Sequence, residues 1–325
     1  KMKNSSESKF FTYRVINTLI MFIALVIVFS LFTPRNIFIS VRNLASLGKL
    51  VPDLGVVALG IGILMVCGEF DLSISSTLPL CSYIFASALF GGLSPVWGFV
   101  LALLSGLALG FINGLIVVKT RMPSFIITLG TMMFWKGILY VWSRMMPTSI
   151  RTFIPTDSLF QKVLTGSIGP FFPVQTIWFV AFAIVLGIIL HFHRFGNWIY
   201  ATGDNQEAAR AMGINTNLVK IICFMIVGVL CAFAGCMQSV RLGSFAATQG
   251  VGSELRAMAA CVIGGTSLRG GIGSMMGVFL GILTLHILDN GLVLMRVPVF
   301  GVNAFIGLAT IFFVLLNSYL DRKIK

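Results

Sequence analysis

Glu69 and Asp71 stand in the stretch Gly68-Glu69-Phe70-Asp71-Leu72-Ser73-Ile74-Ser75, a polar interruption between apolar runs. Ionised carboxylates in apolar surroundings are costly, so they face protein, water or a polar path. Three kinds of chemistry fit. Asp71 or Ser73 can cap a following helix, whose positive N-terminal end favours an acid. They can gate or line a path for a polar solute. They can also bind a driving proton or sodium ion. Further polar side chains punctuate the apolar runs at Asn113, Ser124 and Thr128, with Phe125 beside them. Asn303 stands 175 residues after Thr128. Together these could line one path, and hydrogen bonds between helices are the alternative for each.

A second constellation is Gly203-Asp204-Asn205-Gln206-Glu207-Ala208-Ala209-Arg210-Ala211-Met212-Gly213. Asp204 reads as a helix N-cap and Glu207 completes a capping-box spacing. Gly213 suits the left-handed position just past a helix end. The alanines and Arg210 between them favour helix. Two turns cannot hold themselves together in water, where about 12–15 residues are needed. The helix must therefore dock, either on its own chain or on a partner, with Ala208, Ala209, Met212 and Ile214 as the contact face.

The elements that position these residues are membrane helices. Of 325 residues 57% are hydrophobic and 10% charged, against about a quarter charged in a soluble domain; the mean hydropathy is +0.99. The pattern predicts about ten spans, near 13–33, 50–67, 75–92, 94–118, 123–143, 174–193, 219–240, 254–267, 272–294 and 298–318, each close to the 20 or so residues a bilayer requires. Alternating strands of the outer-membrane kind are absent. The first span lacks a small-x-small cleavage site and reads as a retained anchor. An even span count places both termini on one side, and the basic ends, Lys1 to Arg14 and Arg322 to Lys325, place that side inside. Segment 144–173 then lies outside and 194–217 inside. Arg144, Arg151, Arg241 and Arg256 fall at outward positions, either to pair with acids on a docking protein or to rest solvated.

The net charge of +13 is scattered singly between spans, without the stripe that nucleic acid demands. Cys67, Cys81, Cys223, Cys231, Cys236 and Cys261 form no C-x-x-C pair and read as small packing residues. His286, alone in a span, is expected to bond a neighbouring helix. No catalytic motif, nucleotide-binding P-loop or metal-ligand spacing occurs, so neither catalysis, ATP hydrolysis nor a bound cofactor is expected of this polypeptide. Gly264-Gly265-Thr266-Ser267-Leu268-Arg269-Gly270-Gly271 reads as close helix packing and a sharp turn.

The chain also repeats itself. Arg121-Met122-Pro123-Ser124-Phe125 recurs 175 residues later as Arg296-Val297-Pro298-Val299-Phe300, and Gly68 and Phe70 recur at the same offset as Gly243 and Phe245. Asn113-Gly114-Leu115 recurs as Asn290-Gly291-Leu292. Five predicted spans separate the copies, so the halves, about 50–143 and 219–318, read as inverted repeats of a transporter core.

These motifs in this order resemble the permease subunits of bacterial ABC monosaccharide importers, which serve ribose, galactose, xylose and autoinducer-2. The resemblance covers nearly the whole chain. It implies an all-α permease of about ten helices, related to the vitamin B12 importer type. It implies pairing with an identical or similar permease, two cytoplasmic ATP-binding subunits and a periplasmic sugar-binding protein, in the bacterial inner membrane. By that similarity Gly203–Gly213 docks the ATPase and Asp71 lies near the path. Glu69 departs from the family, where a glycine is common, and has no explanation in the sequence. An ion-driven secondary transporter using Asp71 or Glu69 is the competing reading, against which the capped helix argues.

Overall fold

The computed structural model describes residues 5–169 and 171–324, so Lys1, Lys3 and Lys325 of the basic ends lie outside the described residues. The helices run in order α1 (Ser5–Phe32), α2 (Val41–Val66), α3 (Ile74–Phe90), α4 (Pro95–Thr120), α5 (Ser124–Ser143), α6 (Leu159–Thr165), α7 (Val174–Phe192), α8 (Arg194–Asp204), α9 (Gln206–Ala211), α10 (Thr216–Leu242), α11 (Ser253–Ile263), α12 (Met275–Leu294) and α13 (Val299–Ile324). Each predicted span falls on a helix. Among the described residues seven helices are long and apolar enough to cross a membrane by themselves: α1 from Arg14 onward, α2, α4, α5, α7, α10 and α12. The chain is an all-α, multi-pass membrane protein. The predicted span 254–267 shortens to the eleven residues of α11, about 16 Å of helix at 1.5 Å per residue, because the glycines from Gly264 onward end it.

Burial separates the helices into layers. Along α2 the side chains from Val56 to Val66 are fully buried, and α10 is buried over most of its length. Their central place explains why they are apolar on all sides. Few residues in the spans of α1 and α5 are buried, as expected of helices that face lipid. Around the central pair, α10 packs on α4 and α3, and α2 packs on α12 and α11. In turn α3 packs on α4 and α5, and α11 on α12 and α13.

Small residues set the closest approach. Gly106, Gly110 and Gly114 form one ridge of α4 at i, i+4 spacing. A Cβ on Gly106 would lie 2.3 Å from the Gly228 carbonyl oxygen, and one on Gly110 2.3 Å from that of Phe224. Backbone therefore meets backbone between α4 and α10, the packing that membrane helices use in the absence of a hydrophobic drive. All six cysteines are free and buried, as packing residues should be. His286 bonds the carbonyl of Ile282 in its own helix, 3.1 Å away, rather than a neighbouring helix as expected.

Segment 144–173 folds over one end of the bundle. Thr148–Ser149 pairs antiparallel with Ser244–Phe245, and Ser167–Ile168 with Phe172–Pro173. Ile150, Ile154 and Leu164 are buried, while Phe160 meets Phe85 and Phe99. The opposite end gathers α8, α9, the last turn of α2, the start of α10 and the turn between α11 and α12.

Gly110→Ala places a methyl against the Phe224 carbonyl and should cost about 1–3 kcal/mol by overpacking. Gly130→Ala meets nothing within 4 Å. A thermal melt in detergent is expected to fall by several degrees for the first variant and to hold for the second.

Candidate functional site

The α8–α9 segment is built on backbone contacts. His193 Nδ1 accepts a hydrogen bond from Phe195 N at 3.1 Å, which starts α8 directly after α7. Ten residues on, Gly203 meets two other chain segments. A Cβ there would stand 1.9 Å from the Val66 carbonyl oxygen and 2.7 Å from Gly271 N. Gly271 N itself donates to Val66 O at 2.8 Å. Gly68, at φ +85°, lies just beyond. Three backbone segments thus cross where no side chain fits. The Tyr200 hydroxyl adds a fourth tie, donating to Gly273 O at 2.6 Å. Burial pushes its phenol above the ordinary range, so it remains a neutral donor.

The capping expected of Asp204 and Glu207 belongs to Asn205 instead. Asn205 Oδ1 accepts from Glu207 N at 3.1 Å and Ala208 N at 3.0 Å. Asp204 is the last residue of α8, and its carboxylate is unneeded because the sharp break falls one residue later. At the other end the C-cap reading holds. Gly213 takes φ +83°, Gly213 N donates to Arg210 O and Ile214 N to Ala209 O, the paired bonds of a Schellman motif. Arg210 ties the helix to α10, donating from Nε to Thr216 Oγ1 at 2.9 Å and from Nη2 to Asn217 Oδ1 at 3.0 Å.

The expected contact face therefore splits. Ala209 is fully buried and Ile214 packs against the core. Ala208 and Met212 face outward, Met212 at 69% exposure. The same short helix docks on its own bundle by one edge and offers the other.

Five of the seven expected path residues come together around the turn between α2 and α3. Asp71 Oδ1 accepts from Ser73 N at 2.8 Å and Ser73 Oγ at 2.6 Å, and Asn113 Nδ2 of α4 donates to Ser73 Oγ at 2.7 Å. From the first two turns of α5, Ser124 Oγ accepts from Phe70 N at 2.9 Å and Thr128 Oγ1 from Leu72 N at 3.1 Å. All five side chains are buried. Ser73 starts α3 without a side-chain cap bond; Asp71 turns the backbone before it. Asn113 Oδ1 is buried without a hydrogen-bond partner. Phe125 is half exposed and stands apart from the cluster. Asn303 lies at the other end of the bundle.

There it lines a cavity of about 540 Å³ with Asp53, Gln238, Arg256, Asp289 and Asn290 among its polar walls. That volume falls within the roughly 300–1,000 Å³ of small-molecule sites. Arg241 pairs with Asp53, and Arg256 with Asp289. Asn43 and Asn290 exchange two hydrogen bonds at 2.9 and 3.0 Å. Of the four arginines expected at the outward face, Arg144 and Arg151 are exposed, whereas Arg241 and Arg256 have counter-ions in their own chain.

Comparison with known proteins gives the family. The family described as branched-chain amino acid transport system / permease component matches residues 43–316. The chain belongs to this family. It is 36% identical over 301 residues to the ribose import permease protein of Bacillus subtilis, covering 92% of this chain and 90% of that one. It is 31% identical over 296 residues to the xylose/arabinose import permease protein of Sulfolobus acidocaldarius, covering 89% and 81%. It is 34% identical over 269 residues to an autoinducer 2 import system permease protein of Yersinia pseudotuberculosis, covering 81% and 73%. No solved structure matches the chain.

The permease also contains a link that sequence reading missed. Glu69 Oε1 lies 2.5 Å from Lys220 Nζ, 151 residues further along, so no local spacing announces it. In the permease Ala209→Asp buries an uncompensated charge, at a cost of ~2–7 kcal/mol or more. Ala208→Glu adds one at the surface, where changes stay within about 0.5 kcal/mol. Monodisperse extraction in detergent is expected to be lost for the first variant and retained for the second.

Proposed function

We propose that this permease forms the solute path of an ATP-driven importer for monosaccharides, and that α9 is the coupling helix through which a separate ATP-binding subunit acts. The observation that carries the reading is α9 itself. It is too short to stand alone, capped at both ends, held by Arg210 and Ala209, and turned so that Ala208 and Met212 project from the bundle. A surface helix held this firmly and ending in an exposed methionine fits a partner's groove. ABC sugar permeases among the relatives work with an ATP-binding and a substrate-binding partner, and the same partners are proposed here, with a second permease subunit completing the pathway. The ion-driven alternative gains no support: Glu69 is committed to Lys220, and Asp71 is committed to its own turn.

The halves read as inverted repeats within ten spans, with α3, α11 and α13 completing the count. Two features support this. Helices α2 and α10 exchange equivalent partners, as described above. Gly114 packs near Ile221 at the start of α10, whereas Asn290 bonds Asn43 at the opposite end of the bundle. Both termini would then lie on the α9 side, in the cytoplasm, with the permease in the bacterial inner membrane.

The cavity beside Asn303 supports a neutral polar solute. At its wall Arg256 pairs with Asp289, and Asp53 pairs with Arg241 behind it, so donors and acceptors are offered without an uncompensated charge to hold an ion or a zwitterion. At the α9 end, the unpartnered Asn113 Oδ1 could accept from a passing hydroxyl, which gives Asp71, Ser73, Asn113, Ser124 and Thr128 a place on the path. Arg144 and Arg151 are the arginines left for binding-protein docking.

Reconstitution into proteoliposomes with the ATP-binding and binding-protein subunits tests the proposal. Uptake of radiolabelled ribose or xylose is expected only with internal or external ATP on the ATPase side, unaffected by collapse of proton and sodium gradients, and not competed by leucine. Uptake that follows an ion gradient without ATP would refute it.

A further inference from the structure

Lys220 stands at the start of α10 with two acceptors in reach. Its ammonium meets Glu69 Oε1 at 2.5 Å and donates to Gln206 Oε1 at 3.1 Å. The three residues come from three elements: Glu69 from the turn after α2, Lys220 from α10, and Gln206 from the first turn of α9. Gln206 is held further by its Nε2, which donates to Thr216 Oγ1 at 3.3 Å, the same oxygen that receives Arg210 Nε. The Glu69 and Lys220 side chains are 10% and 14% exposed, so little water screens or replaces their contact.

What Glu69 is attached to gives the pair its reach. The next peptide, Phe70 N, is bonded to Ser124 of α5, then Leu72 N to Thr128 of α5, and Asp71 through Ser73 to Asn113 of α4. A displacement of α9 would therefore be conveyed by one ammonium to the turn that holds the inner ends of α4 and α5. The crossing at Gly203, Gly68 and Gly271 also joins α8 to this turn, but it is backbone packing and has no charge to break.

We propose that Lys220 is a positioning residue for transport coupling, bridging Gln206 of the coupling helix to Glu69 of the turn on the solute path. The inference rests on the importer reading of the preceding subsection. The bridge transmits motion rather than merely bracing the fold. Its loss should separate ATP hydrolysis from uptake while leaving the assembled complex intact.

The test uses the reconstituted importer with the full-length permease and reads two quantities in the same vesicles: ATP hydrolysed and labelled sugar taken up. Native permease with neither ATPase binding nor ATP-driven uptake would show that the importer reading itself is wrong, and the bridge with it. With native uptake in hand, Lys220→Met and Glu69→Gln are each expected to raise the ATP consumed per sugar several-fold, with the ATP-binding subunit still co-purifying. The exchanged pair Glu69→Lys/Lys220→Glu is expected to bring the ratio back toward native, since Gln206 can present its amide to either charge. Should Lys220→Met fail to assemble, Glu69→Gln keeps the side-chain shape and carries the same comparison. A ratio unchanged in Glu69→Gln, or an exchanged pair no better than the single variants, would overturn the proposal and leave the contact as a static brace.

Discussion

The structure depends on a place where three backbones touch. Gly203 of α8 sits so close to Val66 O and Gly271 N that a single methyl would lie far inside van der Waals contact distance of both. Side chains cannot mediate contact at that distance; only the bare backbone can, and the direct bond from Gly271 N to Val66 O fastens the neighbouring segments. Because this crossing fixes where α8 ends, it fixes where Asn205 starts α9. It also fixes which edge of α9 meets the bundle. The ion pair, the Arg210 ties and the Tyr200 hydroxyl all act on a geometry already imposed by this constraint.

The other end of the molecule uses a different device. There the contacts are between charges and amides: Arg241 with Asp53, Arg256 with Asp289, Asn43 with Asn290. Such contacts can be exchanged for others at modest cost, whereas a glycine crossing cannot be rearranged without separating the helices. A transporter needs this asymmetry if one end is to follow an ATP-binding partner rigidly and the other is to open to solute. The central pair α2 and α10 joins the two ends, since each helix contributes to both.

Much of this was legible in the sequence, for identifiable reasons. All ten predicted spans lie on helices because apolar runs of bilayer length have few other solutions. Gly213 was legible because a left-handed position after a helix has one favoured residue. Asp71, Ser73, Asn113, Ser124 and Thr128 were legible as a group because polar side chains in apolar runs must find one another. Their bonds run to backbone amides of the turn as much as to each other, a detail no spacing carries. Asp204 was misplaced as the cap because α8, amphipathic and contiguous with α9, gives no break in its pattern before Asn205. Glu69–Lys220 and Arg256–Asp289 were invisible since their partners are set by the fold. Segment 144–173 carries no such signal, since its buried Ile150, Ile154 and Leu164 are spread over a turn and a separate short helix rather than along one element.

The crossing at Gly203 is the central claim, and Gly203→Ala addresses it with one methyl group. The most direct measurement is the fraction of ATP-binding subunit that co-purifies with the variant permease from detergent-solubilised membranes, relative to native. The account expects that fraction to fall at least several-fold, because the methyl forces α8 from Val66 and α9 is displaced with it. A variant that retains the subunit and melts at the native temperature would contradict the account, and the position of α9 would then have to depend on its side-chain ties alone.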